Sequence, residues 1–274
     1  MNRSLIFSAW VGLTTLLTST FAVAQVVVQV DENVVQAEIS VAGLEADMTV
    51  TFDQVVGLSP QSIGISAGLV DPTNLSLLER LPDSSMGIAA AFPLKIVIEP
   101  PEEHGLSFTG TATVEIHTHA LTLTTNSPFR LLKAPLGGDF EDITASLASG
   151  SVRSRGRVGG FSEFVIGVDT RLHDTVAAEK FAALAAELTN PSIDPAVQGE
   201  LQTLLDSAEA SFAAGEHLDA VAALDDFIDL VAEHQGTDIP NVWRATRDLD
   251  NVAGRLMASA RTLIFSLRMA NSFP

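Results

Sequence analysis

The sequence is 274 residues long and carries 34 acidic against 15 basic residues, for a formal net charge of −19. It contains no cysteine, which excludes disulfides, thiol catalysis and cysteine-ligated metals. The negative charge repels phosphate backbones, so we expect no nucleic-acid partner, and a hydrophobic content of 46% indicates a folded chain rather than a disordered one.

The N-terminal residues 1–24 have the pattern of a secretory signal peptide. Arg3 supplies a positive charge, an apolar stretch follows from Leu5 to Leu17, and small residues end at Ala24. This stretch is short and contains several Ser and Thr residues, which favours cleavage before Gln25 over retention as a membrane anchor. We therefore expect the mature protein in the periplasm or at the cell surface of a bacterium, with no transmembrane span.

Residues 25–170 are predicted to form an antiparallel β-sandwich domain. Short segments rich in Val, Ile, Thr and Phe alternate with Gly, Pro, Asn and Asp, which is typical of strands joined by turns. The pattern is weakest within 57–91, and the sequence leaves open whether this segment forms a long irregular loop. The strand-like segments are VVVQV (26–30), VVQAEISVAG (34–43), ADMTVTFDQV (46–55), FPLKIVIEP (92–100), LSFTGTATVEIHTHALTL (106–123) and GGFSEFVIGVD (159–169).

Within the fifth segment, VEIHTHALTL at 114–123 places Glu115, His117 and His119 two positions apart, so their side chains leave one face of a strand. Two imidazoles and a carboxylate are possible zinc ligands. However, Glu115 and His119 start ~13 Å apart on a flat strand that rises ~3.3 Å per residue, too far to share one ion unless the strand bends. His117 and His119 are therefore candidate metal ligands only if a neighbouring strand completes the site, and we expect no cofactor.

The opposite face of the same strand is predicted to face the core. It presents the apolar residues Val114, Ile116 and Ala120, which alternate with the histidine side. The histidine side would then be the outer face of the strand, where water, a helix or a partner lies.

After Asp169 the hydrophobic period changes to that of helices, and residues 171–274 are predicted to form a helical bundle domain. Asp194-Pro195 has the pattern of an N-cap followed by proline at the first helical position, while Gly215 and Gly236 mark helix ends. The connections are only a few residues long, so neighbouring helices are expected to be antiparallel. The predicted fold class is thus a two-domain protein, an all-β domain followed by an all-α domain.

Part of this helical region resembles a known module. The segments LLDSAEASFAAGEHLDA (204–220) and AVAALDDFIDLVAEHQGTDI (220–239) are similar to the FIVAR or FIMAH helical module of exported bacterial proteins, over roughly residues 197–265. The resemblance implies a role in interaction or attachment. RGRVGGFSEFVIGVDTR (155–171) resembles the junction of an uncharacterised family of exported proteobacterial proteins, which join a β-sandwich to helices.

The sequence contains no catalytic motif in its required context. The P-loop, G-x-G-x-x-G and H-E-x-x-H are absent, and G-x-S-x-G occurs only as Gly64 to Gly68, where Asp71-Pro72 follows instead of the strand–turn–helix that presents a nucleophilic serine. We therefore expect a non-enzymatic binding or scaffolding protein, with an envelope protein or a cell-surface glycan as its partner. The alternative is a hydrolase that acts on an extracellular polymer, with carboxylates or the pair His117 and His119 as its reactive groups.

Overall fold

The computed structural model describes residues 24–148 and 150–273 of the chain. Apart from Ala24, the predicted signal peptide lies outside these residues. Across the described ranges, no helix is both long enough and apolar enough to cross a membrane.

Strands occupy most of the first two thirds of the chain, and long helices occupy the rest. The strands are β1 Gln25–Asp31, β2 Val34–Val41, β3 Leu44–Val56, β4 Ile65–Leu69, β5 Gly87–Ile88, β6 Leu94–Ile98, β7 Ser107–Thr122, β8 Phe129–Ala134, β9 Glu141–Asp142, β10 Thr144–Ala148, β11 Ser151–Val158, β12 Glu163–Val168 and β13 Val242–Arg244. The helices are α1 Leu75–Leu78, α2 His173–Leu188, α3 Pro195–Ala213, α4 His217–His234 and α5 Val252–Ser272.

The strands form two antiparallel sheets that share one apolar core. The first sheet has the order β1-β2-β3-β7-β11-β10, with β13 also paired to β7. The second has the order β4-β6-β12-β8-β9, with β5 paired to β12. Val50 and Phe52 of the first sheet pack in the same cluster as Ile96 and Phe164 of the second. Alternating apolar residues therefore turn one side of each sheet towards this core.

The segment 57–91 contains more structure than a long irregular loop. It supplies β4, α1 and β5, and it covers the other side of the second sheet. Leu77, Leu81 and Met86 from this segment pack against Leu132 of β8. Both sides of the second sheet are consequently buried, which leaves the outer side of the first sheet as the broad exposed strand surface.

The long helices pack on each other through a second apolar cluster. The predicted start of α3 is confirmed, because the side chain of Asp194 accepts hydrogen bonds from the backbone of Ala196 and Val197, and Pro195 is the first helical residue. Gly215 follows α3 with a φ of 78°, which glycine adopts without strain. The cluster contains Phe181, Leu184, Leu201, Leu205, Leu224, Phe227, Val231, Leu256, Leu263 and Leu267.

The predicted fold class, a two-domain protein with an all-β domain followed by an all-α domain, is wrong. Strand β13 lies between α4 and α5, yet it pairs with β7 in the first sheet, with Trp243 opposite Phe108. The Trp243 ring stacks on Phe108 and meets Phe161 edge-on, with ring centroids 5.3 Å apart in both cases. The helical half of the sequence thus contributes a strand and a tryptophan to the core between the sheets.

Helix α5 adds further attachments between the two halves. The amide of Asn251 donates to the carbonyl of Gly110 at 2.7 Å and accepts from the backbone N–H of Gly254 at 2.9 Å. A Cβ on Gly159 would lie 2.7 Å from the backbone nitrogen of Arg255, so only glycine allows this close approach. Helix α5 also packs against β7, β10 and β11, which makes the helices part of the same packed unit as the strands.

Candidate binding face

The outer side of the first sheet carries an exposed row of arginines on β11. The sequence SVRSRGRV alternates buried residues with Arg153, Arg155 and Arg157, so all three side chains leave the same side of the sheet. Their side chains are 46%, 51% and 40% exposed, respectively. We call these three residues the arginine row.

Two members of the row are held by one carboxylate on the neighbouring strand β7. Register places Arg153 opposite His117 and Arg155 opposite Glu115. Arg153 Nη1 donates to Glu115 Oε1 at 3.0 Å, and Arg155 Nε donates to Oε2 at 2.9 Å. Glu115 itself is only 9% exposed, so the sequence-predicted site residue is a buried anchor for two half-exposed guanidinium groups.

The third arginine is positioned by a β-bulge in β7, where Gly110 and Thr111 lie opposite Asp53 of β3. Arg157 Nη1 donates to the hydroxyl of Thr111 at 2.9 Å and lies 3.9 Å from the carboxylate of Asp53. Asp53 in turn accepts from the backbone N–H and the hydroxyl of Thr111, both at 2.8 Å. Gly110 adopts a φ of 75° here, and a Cβ at this position would lie 3.0 Å from Asp53. The bulge therefore depends on a glycine within β7, the same strand that bears Glu115.

His117 and His119 lie at one end of the row but do not converge on a common point. His117 Nδ1 lies 3.2 Å from Asp47 Oδ2, and its Nε2 lies 2.6 Å from the hydroxyl of Ser151. The His119 ring is exposed and packs edge-on against His117, with centroids 4.7 Å apart. Within residues 24–148 and 150–273, no three His, Asp or Glu side chains are grouped so that they could hold a metal ion.

The predicted core-facing side of this strand is only partly correct. Val114 and Ile116 are buried in the core, but Ala120 is exposed. Val152 of β11 pairs with Thr118 of β7, but the neighbouring residue Ser151 pairs with Thr122. The regular register therefore ends at Thr118. The alternation of faces therefore does not continue as far as Ala120.

Charge is unevenly distributed across the outer side of the sheet. Glu38, Glu45 and Asp47 line an open groove of about 390 Å³ over the strands β1 to β3. On the other side of the arginine row lies β10, an edge strand whose outward residues Ser146 and Ala148 are neutral and exposed. An anion that contacts the row therefore meets acidic neighbours on one side and an uncharged edge on the other.

A second group of polar residues lies between the second sheet and the helices. Lys180 Nζ contacts Asp142 Oδ2 at 2.6 Å and the Thr262 hydroxyl at 2.6 Å, so its charge is fully partnered. Burial lowers the pKa of Lys180, and the carboxylate of Asp142 opposes that change. These residues border a cavity of about 180 Å³ that Glu187 also lines, and sequence periodicity gave no signal for this arrangement.

Glu187 is a carboxyl group of this cavity with a raised pKa. Burial is the main cause, and the nearby carboxylate of Glu141 adds to it. The hydroxyl of Ser259 donates to Glu187 Oε2 at 3.1 Å and partly offsets the effect. Glu187 therefore holds a proton to a higher pH than an ordinary glutamate does.

Comparison with known protein families gives a match over most of the chain. The sequence profile of DUF6689, described as a family of unknown function, matches residues 12–271. No curated protein matches the chain.

Proposed function

We propose that this chain, which belongs to the DUF6689 family of unknown function, is an exported binding or scaffolding protein and not an enzyme. The signal-like residues 1–24 support a location in the periplasm or at the cell surface of a bacterium. The similarity of residues 197–265 to FIVAR or FIMAH modules, and of residues 155–171 to exported proteobacterial proteins, supports the same role. Its partner would be an envelope protein or a cell-surface glycan.

The observation that carries this proposal is the arginine row on the outer side of the first sheet. The protein has only 15 basic residues against 34 acidic ones, yet three arginines occupy successive outward positions of one strand. Half-exposed ion pairs add only about 0–1 kcal/mol each to stability, so folding alone gives little reason for the row. Side chains fixed in an exposed position instead favour recognition of a partner.

Capture from envelope extracts tests this proposal. We expect residues 25–274 to retain an envelope component that the triple variant Arg153→Ser, Arg155→Ser, Arg157→Ser does not retain. The matched control removes the same charge from exposed or half-exposed positions of the helical half that lie outside the strands, as Arg247→Ser, Arg261→Ser, Arg268→Ser. Capture that is equal for all three proteins, or absent for all three, would contradict the proposed role of this face.

The alternative function, hydrolysis of an extracellular polymer, has one observation in its favour. A carboxyl group with a raised pKa beside a cavity is suited to donate a proton, and Glu187 meets both conditions. Release of reducing ends from envelope polysaccharide that is abolished by Glu187→Gln would favour this alternative over binding alone.

A further inference from the structure

We infer that the arginine row binds a carboxylated polysaccharide, a chain of uronic-acid type with one carboxylate on each of several successive sugars. This inference rests on the proposed function and adds the chemical class of the partner. It is carried by the way the row already holds a carboxylate, by the spacing of the arginines and by the charges that flank them.

The arginine row already binds one carboxylate within the protein, that of Glu115. Its two carboxylate oxygens accept three hydrogen bonds, one from Arg153 Nη1 and two from Arg155 Nε and Nη2. A guanidinium group has five N–H donors in a planar fork that suits carboxylates. A single buried carboxylate cannot occupy all the donors of two half-exposed arginines, so each retains N–H groups that point to solvent.

The spacing of the row favours a polymer over a single small anion. Outward residues two apart on a strand lie ~6.6–6.8 Å from each other, so the three arginines cover ~13 Å along β11. A small carboxylate could contact only one or two of them. A polysaccharide with repeated carboxylates can contact Arg153, Arg155 and Arg157 together, which raises affinity through multivalency.

The flanking residues define a path for such a polymer. On one side of the row the adjacent strand β7 presents Glu115, whose carboxylate already occupies donors of Arg153 and Arg155. Ser146 and Ala148 on the edge strand β10 lie beside Arg155 and Arg153 on the other side and carry no charge. We therefore place the polysaccharide along β11 and β10, where the Ser146 hydroxyl can bond to a sugar hydroxyl.

The net charge of −19 argues against unspecific binding of polyanions. At ~0.15 M salt, charges further than ~8 Å are largely screened, so short-range contacts to the row decide which anion binds. Bidentate geometry then favours planar carboxylates, and a lysine in place of an arginine would keep the charge but lose the fork.

Titration calorimetry with residues 25–274 at physiological salt tests the inference. The probes are polygalacturonate, its fully methyl-esterified form, dextran sulfate and neutral dextran. We expect binding to polygalacturonate only. Arg155→Gln should weaken it at least about tenfold, Arg155→Lys should weaken it nearly as much, and the control Arg247→Ser, Arg261→Ser, Arg268→Ser should leave it unchanged.

Other results would overturn the inference in distinguishable ways. If dextran sulfate binds as tightly as polygalacturonate, or if Arg155→Lys binds polygalacturonate as tightly as the native sequence, the face attracts any polyanion by charge. No binding of polygalacturonate, together with row-dependent capture from envelope extracts, would remove the polysaccharide and leave the proposed function in place. Failure of both experiments would remove the face as a binding site.

Discussion

Glu187 lies on α2, where the helix meets Glu141 of β9 and Ser259 of α5. Burial raises its pKa and Glu141 raises it further, so the folded protein holds a proton there more tightly than the unfolded chain does. A group whose pKa is higher in the folded protein stabilises the fold at pH values below its pKa in the unfolded chain. This stabilisation is lost as the pH rises through its pKa in the folded protein. Ionised Glu187 therefore destabilises the folded state near neutral pH.

The variant Glu187→Gln should remove this destabilisation, because glutamine carries no charge at any pH. We expect its melting temperature to exceed that of the native sequence at pH 7.5, and the difference to vanish near pH 4, where glutamate is protonated as well. Differential scanning calorimetry at both pH values measures the effect. Glu209→Gln removes the same charge from an exposed position of α3 and serves as the control. An equal gain at both pH values would contradict this account.

At the scale of elements, the three-residue strand β13 joins the helical half to the first sheet. Trp243 is its buried residue, 8% exposed, and it packs between Phe108 and Phe161. Gly160 lies against the indole ring, where a Cβ would approach its Nε1 atom to 2.9 Å. The GGFS sequence thus supplies both the space for the tryptophan and, through Phe161, one of its contacts.

Trp243→Ala should therefore destabilise the whole protein and not only the local strand. Truncation of a large buried aromatic costs about 3–5 kcal/mol, because a cavity remains where the ring was. Urea denaturation followed by far-ultraviolet circular dichroism measures the change. Leu249→Ala, at an exposed position of the same connection, should change the free energy of unfolding by less than about 0.5 kcal/mol. Similar small effects of both substitutions would show that β13 contributes little.

At the scale of the whole molecule, the strands and helices should unfold together. The core between the sheets contains Trp243, and Asn251 and Lys180 tie α5 and α2 to strands through buried hydrogen bonds. A separate helical domain would expose these groups when it unfolded alone, and each unpaired buried polar group costs about 1–3 kcal/mol. Unfolding of one half thus weakens the other.

This coupling can be measured because Trp243 is the sole tryptophan of residues 25–274. Its fluorescence reports on the junction, while circular dichroism at 222 nm reports mainly on the helices. We expect both signals to give the same urea midpoint, as a single cooperative transition requires. Two midpoints that differ clearly would mean that the helices unfold independently of the sheets.

The sequence by itself determined the features that depend on near neighbours along the chain. Period-two alternation gave the inward side of β7 at Val114 and Ile116, and the Asp194-Pro195 cap gave the start of α3. These features follow from a few adjacent dihedral angles and side chains, so a short window of sequence is sufficient. The arrangement of near neighbours was therefore largely predictable.

The tertiary structure alone decided which distant segments meet. Arg153 and Arg155 lie 38 and 40 residues from Glu115, and only the register of β7 with β11 brings them to one carboxylate. Strand β13 has three residues, too few for any periodicity to show, and its place in the sheet follows from the fit of Trp243 against Phe108. Strand register and ring packing are set by contacts across the whole fold, which no local pattern encodes.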